Sequence, residues 1–188
     1  MAVTEEKKAC RALALSRRAA LSSSERQTHS AAICRALSEL CELATARVVL
    51  GYAAAGSECD LDALYAALRA RGVALAFPLT AADGSMEALV PEGALLPGRF
   101  GVPEPDPARS RRVSPEELDA VLVPCVGFDS SLRRLGHGMG YYDRYLARCA
   151  HAAAILVAFE AQRLCAVPTE SHDRSFSVLV TEAGVFRR

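Results

Sequence analysis

Between Leu122 and Leu146 the chain reads LVPCVGFDSSLRRLGHGMGYYDRYL, the stretch where residue type and spacing most plainly suggest chemistry. Glycine recurs at every second position, Gly136, Gly138 and Gly140. Residues without a side chain let backbone N–H groups approach an anion closely, and a helix starting just beyond would add its positive end. Arg134, shortly before the glycines, supplies a planar cation able to bridge two phosphate oxygens. The spacing is not the G-x-G-x-x-G of dinucleotide sites and no Walker lysine accompanies it. Taken alone, the glycines suit a tight turn and a phosphate site equally. By residue type, Tyr141 and Tyr142 suit packing at a helix start, and Asp143 suits a helix N-terminus.

Other candidates lie elsewhere in the chain. Lys7 and Arg11 are four residues apart on an expected helix, so they share a face and can converge on one phosphate group. A solvated basic patch explains them as well, and residue type alone favours that patch. Glu58 offers a carboxylate acceptor for N–H donors, or is an exposed acid beside a helix cap at Asp60. Asp143 and Asp173 are candidate magnesium ligands, since Mg²⁺ needs only one or two carboxylates when nucleotide phosphates and waters complete its shell. Asp173 otherwise belongs to a polar loop, TESHDRS. His137 and His172 invite an acid–base role; we assign the first to the lining of the site and the second to structure. Cys125 ends a strand near the glycines, but no partner histidine stands at a recognisable spacing, and a thiol mechanism is rejected.

The elements that must hold these residues follow from periodicity. Thr4 with Glu5 and Glu6 suggests a helix start, and Ser22 with Glu25 has capping-box spacing for a second helix whose buried face runs Ile33, Leu37, Leu40 and Ala44. Val48–Tyr52 reads as a strand, Asp60 as the cap of a helix reaching Gly72, and Val73–Phe77 as a strand ended by Pro78. Met86–Val90 is a short strand. The proline-rich stretch from Pro91 to Pro107 must be an ordered loop or an edge. Ser114-Pro115-Glu116-Glu117 begins a helix, Ala120–Val123 is a continuous apolar strand, and Gly140–Ala150 an amphipathic helix. Ala152–Val157 and Phe176–Val180 complete the strands. This rhythm predicts one α/β domain over residues 1–188, in three layers, with a central mixed or mostly parallel sheet flanked by helices and two helices at the N-terminus.

Composition narrows the function. The chain has 188 residues, with 22 Lys and Arg against 22 Asp and Glu, a formal net charge of zero. A non-specific nucleic-acid binder carries a basic excess, so any anion site here must be a local cluster of cations. No apolar run approaches the roughly 20 residues of a membrane span, and the charged N-terminus lacks the apolar core of a secretory signal. Seven cysteines without a C-x-x-C pair suit buried thiols in a reducing cytoplasm.

Taken whole, RLGHGMGYYDRYLA preceded by VLVPCVGFD resembles the nucleotide loop of 5-formyltetrahydrofolate cyclo-ligases, also called methenyltetrahydrofolate synthetases. The likeness extends to Lys7 and Arg11, to Glu58 in GSECD, to Phe100 in RFGVPEP, and to AFEAQ and VPTESHD near the C-terminus. It implies an ATP-dependent cyclisation of 5-formyltetrahydrofolate, with or without a polyglutamate tail, to 5,10-methenyltetrahydrofolate, releasing ADP and phosphate. It also implies an ATP site of Lys7, Arg11 and the run Arg134, Leu135, Gly136, His137, Gly138, Met139, Gly140, Tyr141 and Tyr142, with Arg134 catalytic. The folate side would comprise Ala53, Glu58, Phe100, His137, Gly138, Met139, Gly140 and Tyr141, and Mg²⁺ would sit near Asp143 and Asp173. The chain departs from the family pattern at Leu132, where glycine is usual and a changed turn is expected, and at Met139 and Ser177. Two alternatives are a non-catalytic folate- or nucleotide-binding relative and a small-metabolite kinase or phosphatase built on the same loop. Oligomeric state is not legible.

Overall fold

A computed structural model describes residues 3–169 and 176–188. The N-terminal half opens with helices α1 (Val3–Ala20), α2 (Ser23–Ser38) and α3 (Cys41–Ala44). Strand β1 (Val48–Leu50), helix α4 (Asp62–Ala70) and strands β2 (Ala74–Thr80), β3 (Met86–Pro91), β4 (Leu96–Pro97), β5 (Pro103–Glu104) and β6 (Ser110–Val113) follow. The remainder is β7 (Ala120–Pro124), β8 (Gly127–Phe128), β9 (Arg134–Leu135), α5 (Tyr141–Leu146), β10 (Ala153–Val157), β11 (Val178–Thr181) and β12 (Gly184–Arg187).

Eight strands form one mixed sheet in the order β12-β11-β10-β7-β1-β2-β3-β6. The five from β11 to β2 are parallel, and antiparallel strands finish both edges. The parallel strands are apolar except for Thr80 and Thr181 at the ends of β2 and β11, as suits strands buried on both faces, and their residues divide by pleat. Val49, Leu75, Leu122, Ile155 and Val178 join the core under α2 and α4. Leu50, Ala76, Val121, Val123, Leu156 and Leu179 face the opposite core with Leu146 of α5. Helices on both faces and the sheet between them make the three expected layers.

Local readings hold and fail for identifiable reasons. The capping box at the start of α2 is present: Ser22 Oγ accepts from the Glu25 N–H and Glu25 returns the bond to the Ser22 N–H. Asp60 Oδ1 accepts from the Asp62 N–H at 2.8 Å, a local turn just ahead of α4, but the N-cap position falls one residue later than expected, on Leu61, which has no side-chain cap. Thr4, by contrast, lies inside α1 rather than capping it. The second helix does not run to Ala44: it stops at Ser38, and the break turns Leu43 inward while Ala44 faces solvent. Strand β2 passes through Pro78 to Thr80, because the β1 ladder has already ended at Ala76 and Pro78 has only β3 beside it. The helix begun at Ser114 is a single 3₁₀ turn over Pro115–Glu117, and the helix expected over Gly140–Ala150 is shorter at both ends. Of the two expectations for the proline-rich stretch, the ordered loop holds, with β4 and β5 paired within it apart from the main sheet.

Candidate active site at the sheet's switch point

Strands β1 and β7 are neighbours, yet the chain leaves β1 toward β2 on one side and β7 toward β10 and β11 on the other. Where strand order reverses, the connections diverge and leave a crevice beyond the carboxyl ends. The loop after β1 carries Tyr52 to Glu58, and the loop after β7 leads through the β8–β9 hairpin to the glycines. Helix α1 lies across this end, with Ala14 packed against Val126, Leu135 and Leu164. Between them opens a cavity of 820 Å³, a size suited to small-molecule ligands.

The glycine loop is fixed from three sides. Arg134 Nε donates to the Pro124 carbonyl at 3.1 Å, its Nη1 lies 3.2 Å from Asp143 Oδ1, and its guanidinium stacks on the Tyr142 ring. The side chain is only 8% exposed, so Arg134 braces the loop from beneath while reaching the cavity wall. From α1, Arg11 Nε donates to the Gly136 carbonyl at 2.8 Å and its guanidinium lies against Gly138. Arg144 Nη2 donates to the carbonyls of Met139 and Gly84, joining the loop to the β2–β3 turn. Gly138 and Gly140 have φ of 98° and 68°, a region closed to most side chains. The six residues of α5 sum few peptide dipoles, so cations rather than a helix end supply most of the positive field here.

Across the cavity, the loop after β1 is held by a buried tyrosine pair. Tyr65 Oη donates to the Tyr52 carbonyl and accepts from the Tyr52 N–H, while Tyr52 Oη donates to the Cys59 carbonyl. Gly51 has no Cβ because the Tyr65 hydroxyl would lie 2.7 Å from one. Glu58 Oε2 accepts from the Ala55 N–H at 3.0 Å, and its Oε1 is 3.6 Å from Arg18 and 3.7 Å from His137 Nε2. At the mouth, Phe100 is 67% exposed and meets Tyr141 edge to face, with Met139 also exposed. Glu104, buried, fastens this rim: its Oε1 accepts from the N–H and hydroxyl of Thr80, and its Oε2 from the Arg99 N–H.

Every expected site residue among the described ones lines this cavity: Lys7, Arg11, Ala53, Glu58, Phe100 and the run Arg134 to Asp143. Asp173 and His172 lie outside the described residues. Cys125 is buried and its thiol is pushed up to about 12 by burial, which removes it as a nucleophile. Burial likewise raises the Tyr142 phenol, leaving it neutral. Arg18, Glu104 and Arg144 also line the cavity and were missed. Only Arg18 had a sequence signal, because it continues the helical stripe of Lys7 and Arg11. Among the described residues no three histidine, cysteine or acidic side chains converge on a metal position. Asp143, 42% exposed on the cavity wall, is the carboxylate there that fits a phosphate-completed Mg²⁺ shell.

Leu132 stands in the left-handed region at φ 54°, a conformation glycine adopts freely, and is buried. The leucine side chain thus occupies a backbone conformation that suits glycine. Asp129 organises the turn, accepting from the N–H groups of Ser131, Arg133 and Val167.

Fold and site together define an α/β protein with its ligand cavity at the topological switch point and a cation-braced glycine loop on one wall. The sequence pattern of the 5-formyltetrahydrofolate cyclo-ligase family matches residues 3–182, and the chain belongs to that family of enzymes. A 5-formyltetrahydrofolate cyclo-ligase of Mycolicibacterium smegmatis is 32% identical over 142 residues, 72% of this chain and 73% of that protein. The structure of the Aquifex aeolicus 5,10-methenyltetrahydrofolate synthetase superposes with a TM-score of 0.81 at 32% identity, covering 96% of this chain and 92% of that one. A synthetase from Mycoplasma pneumoniae shares the fold, with a TM-score of 0.79 at 23% identity over 94% of this chain and 98% of that one. Among the described residues no helix is long and apolar enough to cross a membrane.

Proposed function

We propose that this chain catalyses the ATP-dependent cyclisation of 5-formyltetrahydrofolate to 5,10-methenyltetrahydrofolate, with release of ADP and phosphate. The observation that carries the reading is that one cavity joins a cation-braced glycine loop to a part-buried carboxylate, Glu58, on the facing wall. The first suits a polyphosphate and the second the N–H donors of a pterin.

An amide oxygen is a poor leaving group, so it must first be activated. The formyl oxygen attacks the γ-phosphorus and ADP leaves. N10 then adds to the formyl carbon and loses its proton, and phosphate departs with the C–O bonding pair. The protein's part is alignment and charge neutralisation. Lys7, Arg11 and the backbone of Gly136–Gly140 cradle the phosphates, and Arg134 holds that cradle in shape while facing the transferred group. Asp143, with Asp173, would hold Mg²⁺, which when bound neutralises phosphate charge. Glu58, Phe100, Met139 and Tyr141 hold the folate, His137 and Ala53 line its path, and a polyglutamate tail is compatible with the open mouth. The site supports an enzyme acting on a small-molecule substrate.

The test is an absorbance assay. Purified protein with MgATP and 5-formyltetrahydrofolate should produce the near-ultraviolet band of the methenyl product, and omission of ATP should abolish it. Folded protein that binds both ligands yet yields no band would contradict the proposal and favour a binding-only relative.

A further inference from the structure

Helix α1 presents Lys7, Arg11, Ala14 and Arg18 along one face, at spacings of four, three and four residues. Its first two cations line the cavity beside the glycine loop, and Ala14 seats the helix on the sheet end. The last reaches the opposite wall. From Lys7 to Arg18 the helix rises about 16 Å, so a single rigid element spans the cavity from the phosphate side to Glu58.

Arg18 is a buried arginine, its side chain only 7% exposed, and the side chain of Glu58 is 11% exposed. Arg18 Nε donates to Ser57 Oγ at 3.1 Å, and Nη1 lies 3.6 Å from Glu58 Oε1. With Oε2 taken by the Ala55 N–H, the carboxylate is held at both oxygens. A buried ion pair of this kind adds little net stability, because desolvation offsets the attraction. Its effect is to fix orientation. Removing the cation would leave the part-buried Glu58 held by the Ala55 N–H at Oε2 alone, with Oε1 facing only the exposed His137 and no longer fixed toward the cavity.

We infer that Arg18 is the positioning residue of the folate half-site: from the helix whose Lys7 and Arg11 line the phosphate side, it holds Glu58 turned toward the cavity. This rests on the reading that Glu58 accepts the pterin's N–H donors. Arg18 acts through Glu58, so its loss should weaken folate binding and leave nucleotide binding alone. Glu58 lies on the loop after β1 and the glycines lie beyond β7; α1 touches both, through Arg18 at Glu58 and Arg11 at Gly136, beside the direct approach of His137 to Glu58.

The experiment is a double-mutant cycle read by calorimetric titration with 5-formyltetrahydrofolate and, separately, with ATP. Arg18→Met should weaken folate binding by about tenfold or more and ATP binding by less than about twofold. Arg18→Lys should recover part of the loss. In a Glu58→Gln background, Arg18→Met should change folate binding by less than about twofold. The double variant buries neither unpaired charge, so its thermal unfolding shows whether the fold survives when the single variant is poorly folded. Equal weakening in both backgrounds, or equal weakening for ATP, would overturn the positioning role. If the unsubstituted chain binds no 5-formyltetrahydrofolate, the folate reading itself fails. If it binds and Arg18→Met changes nothing, the positioning role alone fails.

Discussion

The Nε of Arg11 donates to the carbonyl of Gly136 at 2.8 Å, a contact between residues 125 positions apart in the chain. The first helix is thus part of the glycine loop's architecture. It holds the loop through its backbone and brings a guanidinium against Gly138 at the point where the chain bends through positive φ. The proposed phosphate site is assembled from two remote segments.

Arg11→Ala should therefore lower kcat/KM by about 10²–10³, through loss of both a phosphate contact and loop order. Its effect on folding should be small, since the side chain is only part-buried. Steady-state kinetics beside a thermal melt separates the two. A melt that falls in step with activity would make Arg11 a folding residue.

Gly140→Ala forces a side chain into φ 68° and sets its Cβ 2.7 Å from Arg144 Nη1. We expect a stability loss of about 1–2 kcal/mol from the backbone alone and a larger fall in turnover, because Arg144 must release Met139 or Gly84. Gly72→Ala is the control. Its φ is 81° and its Cβ would meet nothing within 4 Å, so it should lose comparable stability and keep full activity.

Leu132→Gly sets backbone strain against burial. Glycine removes about 1–2 kcal/mol of left-handed strain but deletes a buried leucine from the core that holds Phe128 and Leu146, at a cost of about 3–5 kcal/mol. Burial should win, with a net loss of about 2 kcal/mol. Chemical denaturation measures it, and a stabilised variant would show that the side chain contributes less than its burial implies.

Much of this was legible because the signals are local. The capping box at Ser22 and Glu25 needs only four residues, and the parallel strands announce themselves as short apolar runs between turn residues. The glycine loop was legible as a motif, and its neighbours Lys7, Glu58 and Phe100 only through the likeness to a family. Other features depend on partners distant in sequence. Pro78 sits within a strand because a neighbouring strand happens to end, which no local pattern reveals. Strand β6 presents two exposed arginines, Arg111 and Arg112, and strands β8 and β9 have two residues each, too short for any periodicity. Glu104 stands between prolines with no cue, and only the fold shows that it fastens the rim to Thr80.

A pH effect on stability follows from Glu42 of α3, which grips Arg187 of the edge strand β12 through both carboxylate oxygens. The hydrogen bond from Arg187 pushes the Glu42 carboxyl down to about 2, against about 4.3 in an unfolded chain. Its stabilisation is fully present above that unfolded value and is lost as pH falls through about 2. Arg187→Ala should therefore destabilise the protein at pH 7, and the gap from the unsubstituted chain should close progressively on acidification. Unfolding midpoints across that range would test this, and a constant gap would assign the effect to packing.

The most direct test of the account as a whole is stoichiometry. In one reaction, phosphate release and methenyl absorbance are followed together, with MgATP and 5-formyltetrahydrofolate supplied to the unsubstituted protein. The account predicts one phosphate per methenyl product, no phosphate without folate, and no product without ATP. Phosphate released at the same rate without the folate would contradict it and point to a different use of the glycine loop.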